Sequence, residues 1–145
     1  MTRPRGLSLA IALLAMVGAG ISVVSLVSHY DSSPSEYCDF DETFNCDLVN
    51  RSVYSSFLGV PVALIGLVGY ALLLGLSLAC SRIASALLLA GALAGLAFAL
   101  YLTYIEAFIL AVWCILCLGS LAVISAITVL AALRLRQGAA LQAAS

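Results

Sequence analysis

Three long stretches with almost no charge determine what this chain can fold into. Residues 6–28 and 52–81 contain no Asp, Glu, Lys, Arg or His, and residues 83–133 contain one such residue, Glu106. An α-helix needs about 20 apolar residues to cross a bilayer. The first two stretches each suit one such helix, and the third suits two helices joined by a turn at about 106–112. The sequence therefore predicts an all-α membrane protein.

The composition excludes the main soluble classes of protein. The chain has 145 residues, of which 64% are hydrophobic and 9% are charged, whereas soluble domains are about 45–50% apolar and about 25% charged. A soluble fold of this size cannot bury so much apolar surface in one core. The net charge of −1 gives no attraction for a polyanion, so nucleic-acid binding is also excluded.

The apolar stretches predict one domain, residues 1–145, folded as a four-transmembrane-helix bundle with a long first extracytoplasmic loop. The first stretch exceeds the roughly 7–15 apolar residues of a signal peptide, so we expect it to remain as a helix. The termini and the turn at Arg82 carry every Arg except Arg51. By the positive-inside rule, both termini are then cytoplasmic. The predicted helices span about 7–29, 57–79, 83–105 and 112–133, and the loop spans 30–56.

Four of the five cysteines fall on the predicted outer side of the membrane. Cys38 and Cys46 lie in the long loop, while Cys114 and Cys117 form a C-x-x-C at the start of the fourth helix. Disulfides persist in oxidising compartments and are rare where thiols are kept reduced. Cys80, at the cytoplasmic end of the second helix, is assigned no role.

The C-x-x-C pattern has several possible meanings. The oxidising compartment favours disulfides over a zinc site, and Leu118 stands where a c-type haem motif needs His, so no metal is predicted. A structural disulfide between Cys114 and Cys117 would close almost no loop and would stabilise little. A helix N-terminus lowers the pKa of the first thiol, which favours a redox-active pair. Two such pairs in series pass two electrons from a protein thiol to a lipid-soluble acceptor such as a quinone.

The order of these motifs resembles the vitamin K epoxide reductase (VKOR) family. The chain has a loop pair, Cys38 and Cys46, then Ser52 six residues later, then Gly59-Val60-Pro61, and finally the C-x-x-C. The resemblance extends from the first helix to the fourth. It implies a four-helix bundle around a quinone pocket, with Ser52 on a short segment at the membrane surface that helps to seal the pocket.

The resemblance also implies a role for each of the four cysteines. Cys38 takes electrons from a thioredoxin-like protein, Cys46 passes them to Cys114, and Cys117 reduces the quinone. The implied substrate is ubiquinone, menaquinone or phylloquinone. The chain has no thioredoxin-like domain of its own, so the partner is expected to be a separate, DsbA-like protein.

One departure from the family pattern favours its bacterial branch. The mammalian branch has a Tyr four residues after the C-x-x-C, and this chain has Leu121 there. We therefore expect quinone reduction coupled to disulfide formation in a bacterial inner membrane, rather than epoxide reduction.

Other residues near the outer ends of the helices are weaker candidates for the pocket. Tyr101, Tyr104 and Trp113 suit a quinone wall, but interfacial aromatic residues are common without any such role. Glu106 suits a proton donor or a plain interfacial acid. The alternative for the whole chain is a non-enzymatic tetraspan membrane protein with a disulfide-stapled external loop, in which Cys114 and Cys117 are dispensable.

Overall fold

Four apolar helices form the body of the protein. The computed structural model describes residues 5–31, 33, 39 and 41–145. A short helix and a small hairpin lie between the first two apolar helices. The elements are α1 (Arg5–Tyr30), α2 (Cys46–Arg51), a 3₁₀ turn (Val53–Ser55), β1 (Ser56–Phe57), β2 (Val60–Pro61), α3 (Val62–Leu78), α4 (Arg82–Ile105), a π turn (Glu106–Leu110) and α5 (Ile115–Ala143).

Three of these helical segments are long and apolar enough to cross a bilayer. They are α1, the segment Arg82–Leu110 and α5, whereas α3 is equally apolar but has only 17 residues. Many of their large apolar side chains are exposed, as expected of surfaces that face lipid. The fold is that of an all-α membrane protein, and the count of four spans remains a prediction.

The second apolar helix begins at Val62, later than the predicted start at 57, because a hairpin occupies the intervening residues. Strands β1 and β2 pair antiparallel, and the two residues between them, Leu58 and Gly59, both have positive φ. Such a two-residue turn matches the twist of the flanking strands. Gly59 adopts a positive φ without strain. The turn could not be predicted from the sequence, because Leu58 is not a residue type that favours a positive φ.

The last helix also differs from its predicted bounds. It begins at Ile115 and runs to Ala143, well beyond the predicted end at 133. Arg134 ends the uncharged stretch without ending the helix, because the Ala, Leu and Gln residues that follow are good helix formers.

The core lies where α1, α3, α4 and α5 meet. At its centre Gly18 on α1 faces the ring of Tyr70 on α3, and a Cβ at residue 18 would lie 2.3 Å from that ring. The Tyr70 hydroxyl is 2.7 Å from Ser120 Oγ on α5, which fixes the ring in place. The fully or nearly buried apolar residues are Ile11, Ala15, Tyr70, Leu73, Leu88, Ala92, Ile124, Ile127 and Ala131.

At the end of the bundle away from Cys46, a buried arginine joins two helices. Arg134 on α5 is 6% exposed and donates to the carbonyl oxygens of Ser77, at 2.7 Å, and Ala79, at 2.5 Å. These carbonyls belong to the C-terminal end of α3, where a helix favours a positive charge. The guanidinium therefore binds α5 to α3 at this end, which we call the arginine end.

Replacing Gly18 with Ala is expected to destabilise the bundle by roughly 1–3 kcal/mol, because the added methyl group forces the Tyr70 ring out of its packed position. Gly20→Ala is the matched control, since nothing lies within 4 Å of a Cβ there. That control is expected to gain about 0.5–1 kcal/mol from helix propensity. Thermal unfolding in detergent measures both, and equal effects would contradict the packing described.

Candidate functional site

The sulfur atoms of Cys46 and Cys114 are in contact. They lie 3.3 Å apart, and both side chains are fully buried. Cys46 is the first residue of α2, and Cys114 is the residue immediately before α5. Two cysteines that are far apart in the sequence are thus brought together at the end of the bundle opposite to Arg134, which we call the cysteine end.

Backbone hydrogen bonds beside each cysteine fix this contact. The Trp113 N–H donates to the Thr43 carbonyl at 2.8 Å, and the Asn45 N–H donates to the Trp113 carbonyl at 3.1 Å. The Asn45 side chain also accepts the Leu48 N–H at 2.8 Å and so caps the N-terminus of α2. The segment before Cys46 is therefore paired with the segment before Cys114.

The two cysteines differ in redox state. Cys46 is disulfide-bonded, whereas Cys114, Cys117 and Cys80 are free thiols. Cys38 lies outside the described residues. Cys117, one turn into α5, packs against the pair formed by Cys46 and Cys114. A free thiol in contact with the sulfur of a disulfide is the arrangement from which thiol–disulfide exchange proceeds.

The surroundings of Cys114 lower the pKa of its thiol. A hydrogen bond with the Cys117 thiol lowers the pKa of Cys114, and backbone N–H groups of Cys117 and Leu116 at the start of α5 lower it further. Burial and the Glu106 carboxyl oppose this shift. Because a thiol with a low pKa is also a good leaving group, the lowered pKa suits Cys114 to exchange with the Cys46 sulfur that it contacts.

Glu106 is a buried acid beside the two thiols. It is 1% exposed, and its Oε2 accepts the Cys114 N–H at 3.1 Å. Its Oε1 has no hydrogen-bond partner in the part of the chain that the structure describes, while the carboxyl interacts with the Cys117 thiol. Glu106 begins the π turn, a rare geometry that is frequent at functional sites.

A cavity of about 480 Å³ opens next to Cys117. Its size falls within the roughly 300–1,000 Å³ of small-molecule pockets. Its wall is mainly apolar, with Gly, Ala, Leu and Ile residues from α3 and α4. Its polar lining residues are Ser22, Ser25, His29, Asn50, Ser52, Tyr54, Ser55, Tyr70, Glu106, Cys117 and Ser120.

The sequence-predicted pocket residues fall in two groups. Ser52 and Glu106 line the cavity, and the Ser52 hydroxyl donates to the Val49 carbonyl at 2.8 Å. Tyr101 and Tyr104 lie outside its lining and are more than half exposed on α4. Trp113 also lies outside the lining and contributes the backbone pairing described above.

Several lining residues were not singled out by the sequence. Asn50 and Ser25 are joined by a hydrogen bond from Ser25 Oγ to Asn50 Oδ1 at 2.8 Å, and His29 Nδ1 lies 2.5 Å from the Asn50 carbonyl oxygen. The sequence feature that could have identified Asn50 is its position one helical turn after Cys46, on the same side of α2. Among the described residues, no group of three or more His, Cys, Asp or Glu side chains is placed to hold a metal ion.

The sequence profile of the Vitamin K epoxide reductase family matches residues 9–132, a range that includes all four cysteines of the predicted relay. The chain belongs to this family. No curated protein matches it. Membership in the VKOR family supports a quinone-linked disulfide oxidoreductase in general, and with the long apolar helices it makes the chain a multi-pass membrane protein.

Replacing Glu106 with Ala is expected to lower the free energy of unfolding by about 2 kcal/mol, because the buried Cys114 N–H loses its acceptor. Glu106→Gln keeps an acceptor oxygen and avoids the desolvation cost of a buried carboxylate. Its free energy of unfolding is therefore expected to equal or exceed that of the wild type. Chemical unfolding in detergent compares the two variants. Equal losses would show that the hydrogen bond to Cys114 does not hold this segment.

Proposed function

We propose that this VKOR-family protein oxidises the thiols of a separate thioredoxin-like protein and passes two electrons through two cysteine pairs to a membrane quinone. The observation that carries the proposal is the 3.3 Å contact between Cys46 and Cys114. Cys117, which packs against these two cysteines, lines the apolar cavity.

The first step is an exchange with the partner protein. One thiolate of the reduced partner attacks the Cys38–Cys46 disulfide and forms a mixed disulfide at Cys38, which releases Cys46. The second partner thiol then resolves this bond, so that the partner leaves oxidised and the loop pair holds two thiols. Two electrons have then entered the chain.

The second step transfers those electrons across the sulfur contact. Cys46 attacks an oxidised Cys114–Cys117 pair at Cys114, releasing Cys117, and Cys38 then resolves the Cys46–Cys114 bond. This restores the loop disulfide and leaves two thiols at Cys114 and Cys117. A disulfide-bonded Cys46 beside free Cys114 and Cys117 corresponds to the state reached after this step.

The third step reduces the quinone. The Cys117 sulfur gives electrons to the ring, Cys114 closes the disulfide, and the quinone leaves as hydroquinone with two electrons and two protons. Glu106 is suited to move one of these protons, because its carboxyl lies against the Cys117 thiol and its Oε1 is not engaged elsewhere in the described chain.

The quinone is expected to enter the cavity from the bilayer. Leu72 on α3 lines the cavity and yet is 64% exposed. Ile65, seven residues earlier on the same helix, also lines the cavity and is 37% exposed. A pocket wall that is also lipid-facing surface gives a lipid-soluble ring and its tail a direct path. Ubiquinone, menaquinone and phylloquinone all meet this requirement.

The charge pattern supports a bacterial inner-membrane location. Arg82, Arg134 and Arg136 lie at the arginine end, which we assign to the cytoplasm together with both termini. The cysteine end then faces the extracytoplasmic side, where a DsbA-like partner carries its thiols. This chain has Leu121 at the position where the mammalian branch has Tyr, and this difference favours quinone reduction over epoxide reduction.

The stapled tetraspan protein remains the competing function. That function requires no electron transfer between the loop cysteines and the C-x-x-C. It would leave the contact between Cys46 and Cys114 without a functional reason. The relay requires that contact, so the position of the two sulfur atoms favours the enzyme.

Replacing Cys117 with Ser is expected to trap the relay. Without Cys117, the Cys114 thiolate attacks the Cys38–Cys46 disulfide at Cys46 and releases Cys38 as a thiol. An alkylating reagent that caps the released Cys38 prevents the reverse attack, and mass spectrometry of the membranes should then detect the Cys46–Cys114 peptide. Reduction of a short-chain ubiquinone by vesicles supplied with a reduced thioredoxin-like protein should fall at least a hundredfold, since the electron donor to the ring is lost.

Cys80→Ser is the matched control, because Cys80 is exposed at the arginine end and does not line the cavity. It should reduce quinone at the wild-type rate and form no trapped species. If Cys117→Ser leaves Cys114 as a free thiol and the loop disulfide intact, the two pairs do not communicate. The tetraspan function would then be the better explanation.

A further inference from the structure

Asn50 presents an unpaired hydrogen-bond donor to the cavity. Its side chain is 6% exposed and lines the pocket, and its Nδ2 has no hydrogen-bond partner among the residues that the structure describes. Native proteins rarely leave such a buried donor unsatisfied, because removing an N–H group from water without a new partner is unfavourable. The exception therefore needs an explanation.

Other buried polar side chains show the usual solution. The hydroxyl groups of Ser28, Ser77 and Ser85 all donate to backbone carbonyls of their own helices or caps. Asn50 differs because only one end of its amide is engaged. The engaged end is Oδ1, which accepts from Ser25 Oγ at 2.8 Å.

Asn50 is held at its side chain and at its backbone. Ser25 Oγ donates to Oδ1 of the side-chain amide, and His29 Nδ1 lies 2.5 Å from the Asn50 backbone carbonyl oxygen. Ser55 Oγ lies 3.5 Å from the same His29 nitrogen and donates to the Ser52 carbonyl at 2.7 Å. A donor held in this way is preorganised for an acceptor that arrives with a ligand.

We propose that Asn50 is a substrate-binding residue whose side-chain N–H donates to one carbonyl oxygen of the quinone ring. The inference rests on the proposed function and adds to it a specificity-determining contact. Reduction places negative charge on the ring oxygens, and a hydrogen bond to an anionic oxygen is stronger than one to a neutral carbonyl. Asn50 therefore binds the reduced form of the ring more strongly as charge develops.

This contact also predicts selectivity. An apolar molecule of the same shape but without a ring oxygen would cover the Asn50 N–H and leave it unpaired. Sites with a buried donor discriminate strongly against such analogues. The preferred ligand class is therefore a quinone with at least one ring carbonyl that is open to approach in its plane.

The test compares binding of two ring systems to Asn50→Leu and to the wild type. The probes are menadione, which has two ring carbonyls, and 2-methylnaphthalene, which has the same rings without oxygen. Asn50→Leu has a similar volume and no donor. We expect its Kd for menadione to rise about tenfold, the loss of one hydrogen bond, and its Kd for 2-methylnaphthalene to be unchanged or lower.

Three further measurements separate binding from folding. Ser85→Ala removes a buried hydroxyl outside the cavity lining and should leave both affinities unchanged. Ser25→Ala frees the amide and should raise the Kd for menadione by a smaller factor, about threefold. Asn50→Leu combined with Cys117→Ser should still trap the Cys46–Cys114 disulfide, which shows that α2 keeps its place.

The outcomes are distinguishable from those of the proposed function. Equal losses for both probes in Asn50→Leu, or no loss for either, would overturn the Asn50 contact even if the enzyme reduces quinone normally. If the wild type binds menadione in an Asn50-dependent way but transfers no electrons to it, the contact stands and the proposed reaction fails. Loss of the trapped disulfide in the double variant would assign Asn50 to holding α2 and would also overturn the contact.

Discussion

The hydrogen bond from the Cys114 N–H to Glu106 Oε2 is the interaction on which the site depends. Between these two residues the chain leaves one helix and enters another, through a π turn and a left-handed Ala111. A link of this kind has few internal hydrogen bonds to define it. The buried carboxyl supplies one that spans the link and sets where α5 begins. The position of Cys114 against Cys46, and of Cys117 at the cavity, follows from that start.

The proposed relay requires two conditions that oppose each other. The sulfur atoms of Cys46 and Cys114 have to touch, and each has to remain able to exchange its bonding partner. The structure meets the first condition through the backbone bonds around Trp113, which lie beside the sulfur atoms and do not involve them. Rigid support from the main chain leaves the side chains free to react.

The sequence predicted the apolar helices and singled out the cysteines as candidates because both leave local signals. Long uncharged stretches define the helices, and a C-x-x-C is recognisable wherever it occurs. The sequence could not show which side of each helix faces the core, because a helix that is apolar all round has no preferred inner face. Tyr101 and Tyr104, three residues apart on α4, were candidates for the cavity wall and lie on the exposed side. Asn50 escaped notice because its partners come from α1.

The arginine at the opposite end has a mechanical consequence. Arg134 holds the C-terminal carbonyls of α3 against α5, and no comparable charged clasp joins these helices at the cysteine end within the described residues. A pair of rods pinned at one end separates most at the other. Separation of α3 and α5 is therefore expected to be easiest at the cysteine end, which the proposed quinone would have to reach.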